Sequence, residues 1–459
     1  MAETDLKDAP ERDDYSLDER LFSQVAQAIA AGDGDRLAGV VRDLHEADMA
    51  DLLEQLAPEK RREFLLLAPQ VVDGEVLSEL DEGLREEVIA FLPADALGAA
   101  LRELDSDDVV DLIEDLAEPE QEAALEQLPE ADRIAVEQAL AFPEFSAGRM
   151  MQREVVAVPE HWNVGQAIDH MRAAEDLPED FYHVVLVDPR HRPTAYVTLG
   201  KVMGHPRQTA MADITEDSFR IIPAEQPESE VAYAFNQYHL ISAPVVDSDG
   251  RLVGVITIDD AMIVLDEEHE EDVLRLGGVG DESLSDRTFQ IFKQRMPWLG
   301  VNLFTSIIAS LVIAQFEETI ATVVALAVLM PIVASMGGNA GTQSLTVAVR
   351  ALATKDLTGS NALRVTRREA IAGCLNGVVF GIVMAVVAVV WFGLPMLGVV
   401  IAIAMVVNLI VAGLAGILVP LTLEKVGIDP ALASGAFVTT VTDIVGFFAF
   451  LGLAGVMLL

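Results

Sequence analysis

The sequence has one cysteine, Cys374, in 459 residues. That excludes a disulfide framework and any cysteine-ligated metal centre. Positive charge is scarce: 30 Lys and Arg stand against 74 Asp and Glu, for a net charge of −44. Nucleic acid and anionic lipid headgroups both need a positive surface, so neither fits as a partner, and cations do. Catalytic signatures are missing too. No Walker loop, His-Glu-x-x-His run, Rossmann glycine pattern or Ser-His-Asp set is found, so an enzyme is not expected. The eight histidines all lie in the N-terminal part, and His161, His183 and His239 read as structural or surface residues. The opening Met-Ala-Glu-Thr-Asp-Leu-Lys-Asp has no apolar stretch, so residues 1–20 read as a disordered acidic tail rather than a signal peptide.

Charge is nearly absent from the C-terminal part. Residues 297–459 hold seven acids and six bases, a net of −1, so the first 296 residues carry −43 of the −44. Two chemically different halves are therefore joined in one chain. Salt adaptation is one reading of that acidity; local clusters are the other and have to be argued one by one.

Residues 21–142 show apolar residues at three- and four-residue spacing between Pro- and Gly-marked turns, the pattern of short helices. A 60-residue repeat runs through them: Leu37, Arg42, Leu44, Asp48, Asp51, Leu52 and Glu54 recur as Leu97, Arg102, Leu104, Asp108, Asp111, Leu112 and Glu114. Such repeats stack into an all-α superhelix. Over residues 143–265 the pattern changes to short β-branched runs alternating with helices, with a second repeat at an offset of 59. Val187-Asp188 returns as Val246-Asp247, and the run from Tyr196 to Met203 returns as Val255 to Met262. This predicts a tandem α/β module over 143–213 and 214–265. It resembles a pair of CBS domains. In that family Gly-hydrophobic-x-Thr-x-x-Asp often holds a nucleotide, here Gly254, Thr257 and Asp260, which makes ATP or another adenine nucleotide the implied ligand. The first copy keeps Thr198 but has Ala195 and Lys201 at the flanking places.

Residues 266–296 are expected to connect the halves. Asp266-Glu-Glu-His-Glu-Glu-Asp272 places six carboxylates in seven positions, and like charges at helical spacing repel by a few tenths of a kcal/mol each. Either water and salt or a bound divalent cation relieves them. Gly277-Gly278-Val279-Gly280 should break that helix, and Arg287, Lys293 and Arg295 make a basic approach to a membrane.

Five apolar segments follow, at about 298–316, 320–349, 370–393, 396–423 and 430–458, each long enough to cross a bilayer core. Pro331 and Pro420 interrupt two of them. Asp443 is the one charged side chain inside these segments, and a carboxylate at membrane depth costs several kcal/mol unless it faces water, an ion or a partner charge. No Lys or Arg in another segment can neutralise it. Thr439 and Thr440 lie one turn before it. Asn339 and Gln343 share a helix face at i, i+4, among Gly337, Gly338 and Gly341, where another backbone or a hydrated ion can come close; interhelical amide bonding is the competing reading. Asn408 reads as a helix–helix hydrogen bond. An oxygen-only lining suits a hard cation, and one carboxylate suits hydrated Mg²⁺ better than dry Ca²⁺. The basic loops put the N-terminal half in the cytoplasm and the C-terminus outside.

From Pro331…Gly337-Gly-Asn-Ala-Gly-Thr-Gln343 and Thr439-Thr-Val-Thr-Asp443, in this order of domains, the whole chain resembles the MgtE family of magnesium channels. The resemblance implies a homodimer in the lipid bilayer, its pore on the two-fold axis with Asp443 of both chains facing the ion. It also implies that cytosolic Mg²⁺, bound between acidic faces, closes the channel. Position points to Glu268, Glu271 and Asp272 of the connecting (plug) helix, with Asp259 and Asp260 beside the second CBS copy. On the superhelix it points to Asp51, Asp108 and Asp111. The rival expectation is a secondary transporter of divalent cations, which usually needs a second ionisable group in the membrane.

Overall fold

The computed structural model describes residues 17–114, 116, 118–174, 177–178, 181–279 and 288–459. The expected acidic tail lies outside the described residues as far as residue 16, as do Gly280 and Arg287. The chain forms two compact units, one through Asp266 and one from Glu267.

The first unit begins with ten short helices. They are α1 (Glu19–Ala31), α2 (Gly34–Val41), α3 (Glu46–Gln55), α4 (Pro58–Leu67), α5 (Gly74–Ser78), α6 (Glu82–Phe91), α7 (Ala94–Ala100), α8 (Ser106–Glu114), α9 (Glu118–Leu125) and α10 (Glu130–Ala139). Helices α7, α8 and α9 start 60 residues after α2, α3 and α4, so the sequence repeat is a structural one. Its leucines make the core: Leu37, Leu52 and Leu112 are fully buried, with Phe64 and Ile113. Some of the acidity has a local job. Asp18, Asp33 and Asp73 cap α1, α2 and α5 by accepting from backbone N–H groups, where a carboxylate also meets the positive end of the helix dipole. Three of the few bases are held internally. Arg61 donates to the Leu53 carbonyl (2.9 Å) and meets Glu87; Arg85 pairs with Asp111 at 2.6 Å; Arg149 pairs with Glu114 at 2.5 Å.

Two three-stranded sheets complete this unit. The first has β1 (Ala157–Pro159), α11 (Val164–Ala173), β2 (His183–Val187), β3 (Pro193–Thr198) and α12 (Leu199–Gly204). The second has β4 (Ile222–Pro223), α13 (Glu228–Tyr238), β5 (Ser242–Val246), β6 (Leu252–Thr257) and α14 (Ile258–Leu276). In each the first two strands pair parallel and the last two antiparallel, with a bulge at the same place, Leu186/Val187 and Val245/Val246. The copies meet at equivalent positions: His183 Nδ1 lies 2.6 Å from Ser242 Oγ. That is the contact a local two-fold between repeats offset by 59 residues demands. The architecture is a CBS pair.

The connecting helix does not start at residue 266. It is the continuation of the last CBS helix, α14, because nothing between Ile258 and Leu276 interrupts the backbone ladder. It ends where Gly278 takes φ +73°, a conformation that favours glycine.

The second unit has five long apolar helices of membrane-spanning length and composition. They are α15 (Thr288–Ala314), α17 (Ala325–Ala353), α18 (Ala362–Phe392), α19 (Pro395–Val426) and α20 (Pro430–Met457), with the short α16 (Glu317–Thr322) after the first. Their number agrees with the sequence, but several run past the apolar limits, since a backbone ladder needs no apolar side chains to continue. Pro331 and Pro420 sit inside α17 and α19, and neither ends its helix. Helix α19 is the most buried of the five. Gly373, Gly377 and Gly381 of α18 lie against it so closely that a Cβ would come within 2.4 Å of the Leu409 carbonyl oxygen, 2.7 Å of Val406 Cα and 2.9 Å of the Ala402 carbonyl oxygen. This spacing of four is the small-residue packing of membrane helices.

Candidate functional site

In α20, Asp443 is half-buried and, among the described residues, makes no hydrogen bond or ion pair. Thr439 and Thr440, one turn earlier, send their hydroxyl protons into their own helix, to Gly435 O (3.0 Å) and Ala436 O (2.5 Å). Their oxygen lone pairs remain free to accept. Thr442 is fully buried. Helix α17 packs against α19 and α20 through its glycines, and each of the three does something different. Gly337 makes room for the Asn408 amide, 2.3 Å from where a Cβ would sit, and Gly341 makes room for Val438, at 2.6 Å. Gly338 has only the Thr439 methyl near, at 3.9 Å, so of the three it alone leaves space beside the threonine face. Asn339 and Gln343 are exposed on the isolated chain; the Asn339 amide reaches Ser335 Oγ at 3.5 Å. Pro420 is buried within α19.

Asn408 is the joint of this bundle. It is fully buried, donates from Nδ2 to Val333 O at 2.8 Å, and fits between Gly337 and Gly446. Interhelical hydrogen bonds in membranes contribute about 0.6 kcal/mol on average, whereas inserting a methyl into a filled site costs about 1–3 kcal/mol. Gly337→Ala is therefore expected to lower the thermal midpoint of the detergent-solubilised protein, because the added methyl displaces the Asn408 amide. An unchanged midpoint in a melting assay would mean that Asn408 is not seated against Gly337.

Asp443 is not alone among charged side chains in these helices. Glu369 lies in α18, upstream of the apolar limit read from the sequence at 370. While Arg364, Arg367 and Arg368 are exposed, Glu369 turns inward and accepts from Ser344 Oγ at 3.0 Å. A hydropathy boundary cannot see which way a side chain at a helix end points.

The first unit has an acidic cluster. Asp107 and Asp108 of α8, with Asp105 just before it, face Asp260 in the first turn of α14. Asp107 is buried. Asp260 accepts from Thr257 Oγ1 at 2.7 Å, and Asp108 from Ser78 Oγ at 3.2 Å. Burial and then the charge of Asp260 push Asp108 up to about 7. Burial, with Asp259 and Asp105, raises Asp260 to about 6. Asp107 is raised well above the ordinary range by burial and by Asp260. Asp107 was missing from the sequence-derived set. Its signal was there, in Asp105-Ser-Asp-Asp108, but repeats alone point to Asp108 and Asp111. Asp111 is instead held by Arg85, and Asp51, its repeat mate, is exposed. Asp259 is exposed and shares the one Thr257 hydroxyl proton with Asp260.

These carboxyls give the first unit a pH dependence of definite sign. The unfolded chain gives up the protons near 4, whereas the folded chain keeps them to about 6 and 7. Between those limits the folded state binds more protons, so stability falls as pH rises. Without divalent ions the thermal midpoint of this unit should drop from pH 5 to pH 7.5; Mg²⁺ or Asp108→Asn should flatten the slope. A slope that Asp108→Asn leaves unchanged, in calorimetric scans of the full chain, would detach the effect from the cluster.

In the second unit, the last turns of α14 carry Glu268, which is exposed, Glu271, which pairs with Arg275, and Asp272. Arg275 also pairs with Asp429, the cap of α20, at 2.6 Å. Burial, then Asp429 and Glu268, raise the Asp272 carboxyl above its ordinary value. Among the described residues no three His, Cys, Asp or Glu side chains form a ready-made metal cage. A divalent ion here would keep much of its water, as Mg²⁺ does.

The nucleotide motif is partly occupied by protein. A Cβ on Gly254 would meet Gln152 O at 2.6 Å and Met151 Sδ at 2.7 Å, so this glycine admits the neighbouring chain. Thr257 and Asp260 bond to each other.

Comparison with known proteins agrees with this layout. Residues 330–453 match the MgtE family described as divalent cation transporter, 44–145 the MgtE intracellular N domain, and 211–267 the CBS domain. The magnesium transporter MgtE of Thermus thermophilus is 31% identical over 448 residues, 96% of this chain and 99% of the relative. That of Enterococcus faecalis is 33% identical over 314 residues, 68% of this chain and 69% of the relative. A crystal structure of the cytosolic domain of the Mg²⁺ channel MgtE in complex with ATP is 29% identical, covering 53% of this chain and 99% of that one, with a TM-score of 0.49. With 31% identity to the Thermus thermophilus transporter over 96% of its length, the chain belongs to the MgtE family of magnesium transporters, and its five apolar helices make it a multi-pass membrane protein.

Proposed function

We propose that the chain is a homodimeric Mg²⁺ channel of the cell membrane, with its N-terminal half in the cytoplasm and its C-terminus outside, closed by cytosolic Mg²⁺. The observation that carries this reading is Asp443: a half-buried carboxylate in a membrane helix with no partner among the described residues. Beside it stand hydroxyl oxygens and the open Gly338. Asn339 is exposed on the α17 surface, where a second copy would complete the lining. The ion passes with its inner water and is held through it, since Mg²⁺ dehydrates reluctantly. The basic residues agree with the orientation: Arg350, Lys355, Arg364, Arg367 and Arg368 lie on one side and Lys425 with them, while Glu317 and Glu318 lie on the other.

Closure follows from the acidic groups. Asp107, Asp108 and Asp260 repel when ionised, and Asp272 is raised by burial and then by Asp429 and Glu268. Mg²⁺ at cytosolic levels offsets that repulsion and favours the conformation in which the carboxylates converge. The ion must bind the closed form better, by about 1.4 kcal/mol per tenfold shift. An adenine nucleotide at the CBS pair is a separate ligand. To use Thr257 and Asp260 it must break their mutual hydrogen bond, so nucleotide and Mg²⁺ should compete for Asp260.

The second reading is a coupled transporter, and Glu369 favours it by supplying a second ionisable group in the membrane helices. Patch-clamp recording with Mg²⁺ as charge carrier decides between them. Unitary currents that vanish as cytoplasmic Mg²⁺ is stepped toward millimolar levels are expected. Mg²⁺ flux without unitary currents would establish the transporter instead.

A further inference from the structure

Glu369 sits in a pocket that the ion path beside Asp443 does not explain. A cavity of about 140 Å³ is lined by Gln343 and Ser344 of α17, Glu369, Gly373 and Asn376 of α18, and Gly413 of α19. Its chemistry is one carboxylate, two amides and a hydroxyl, among helices that are otherwise apolar. The Ser344 hydroxyl aims one carboxylate oxygen at 3.0 Å. The other has only Arg368 Nη2 near it, at 3.8 Å, and that arginine side chain is 69% exposed. The salt bridge is thus loose and wet, and leaves most of the carboxylate's charge to the pocket.

The pocket is built rather than incidental. Gly413 brings α19 so near that a Cβ would lie 2.9 Å from the Glu369 carbonyl oxygen, and one on Gly416 would lie 2.6 Å from Ser344 Cβ. A Cβ on Gly373 would lie 2.4 Å from the Leu409 carbonyl oxygen. Three glycines therefore hold three helices at a fixed, short distance around one carboxylate and its hydroxyl donor. A polar cavity of this size has room for a few waters, or for a hard cation with part of its water shell.

We propose that this pocket holds a second divalent cation, partly hydrated and bound by Glu369, with Ser344 as a positioning residue and the Gln343 and Asn376 amide oxygens as further ligands to its water. The assignment rests on the reading of this domain as a divalent-cation pathway, but its test reads binding and not flux.

Cys374 supplies a local reporter. It is the chain's single thiol, half-buried, and five residues beyond Glu369 on α18, an axial rise of about 7.5 Å. The full-length protein in detergent is tagged there with a trifluoromethyl group, and its fluorine resonance is followed as Mn²⁺, a paramagnetic ion that takes oxygen ligands, is added. The line of the wild-type protein should broaden as the pocket fills. Glu369→Gln should abolish the broadening, Glu369→Asp should retain it at weaker affinity, and Ser344→Ala should need about tenfold more Mn²⁺. Asp443→Asn should leave it in place. The proposal is overturned by a wild-type line that does not broaden, by broadening unchanged in Glu369→Gln, or by broadening lost in Asp443→Asn but kept in Glu369→Gln. Mg²⁺ uptake into proteoliposomes, measured on untagged protein, separates the two readings. A wild-type chain that fills the pocket yet moves no Mg²⁺ sinks the transport reading and spares the pocket. One that moves Mg²⁺ while the fluorine line stays sharp does the opposite.

Discussion

Asp443→Ala abolishes Mg²⁺ uptake. The carboxylate has no partner among the described residues, so its interaction energy is available to the passing ion. A hydrogen bond from a metal-bound water to a charged oxygen is worth about 1.5–3 kcal/mol. Losing two of them costs about 3 kcal/mol or more, hence at least roughly a hundredfold in occupancy at about 1.4 kcal/mol per tenfold. In a dimer both copies are lost at once. Stability moves the other way: removing an unpaired carboxylate from a membrane helix relieves a desolvation cost, so the thermal midpoint should hold or rise. Wild-type uptake of Mg²⁺ into proteoliposomes by Asp443→Ala would remove Asp443 from the ion path.

The second large effect is on regulation. Neutralising Glu268, Glu271 and Asp272 together should leave a conducting protein that no longer closes as cytoplasmic Mg²⁺ rises. Each of the three has a distinct situation. Glu268 is exposed, and Asp272 is raised first by burial and then by Asp429 and Glu268. Glu271 shares Arg275 with Asp429. The triple change removes the carboxylates a divalent ion would bridge and leaves Arg275 on Asp429 alone. The Mg²⁺ giving half-inhibition should rise by about tenfold or more, which corresponds to about 1.4 kcal/mol of differential binding lost. Currents inhibited at the wild-type Mg²⁺ level would return the acidity of this helix to general salt adaptation.

Some of that acidity is neither sensing nor adaptation. Asp18, Asp33 and Asp73 cap helices, and Asp111 and Glu114 anchor Arg85 and Arg149. Counting charges along the sequence cannot separate these from Asp107, Asp108 and Asp260, because the difference lies in which carboxylate meets a donor and which meets another carboxylate.

Periodicity and composition by themselves determined the helical repeat, the α/β repeat and the five apolar helices, because burial of a helix face or a strand leaves its period in the residues that form it. They also singled out Asp443, since an ion in an apolar run is visible without any fold. Where helices end was less legible. Helix α14 starts at Ile258 rather than 266, and α18 takes in Glu369, because a backbone ladder continues through polar residues that hydropathy counts as loop. What only the tertiary structure decided is who faces whom. Gly337 serves Asn408, Gly341 serves Val438, Gly254 serves Met151 and Gln152, and Glu369 turns to Ser344. Each of these is a contact between segments far apart in the chain, set by the close approach of two backbones, and no spacing within either segment records it.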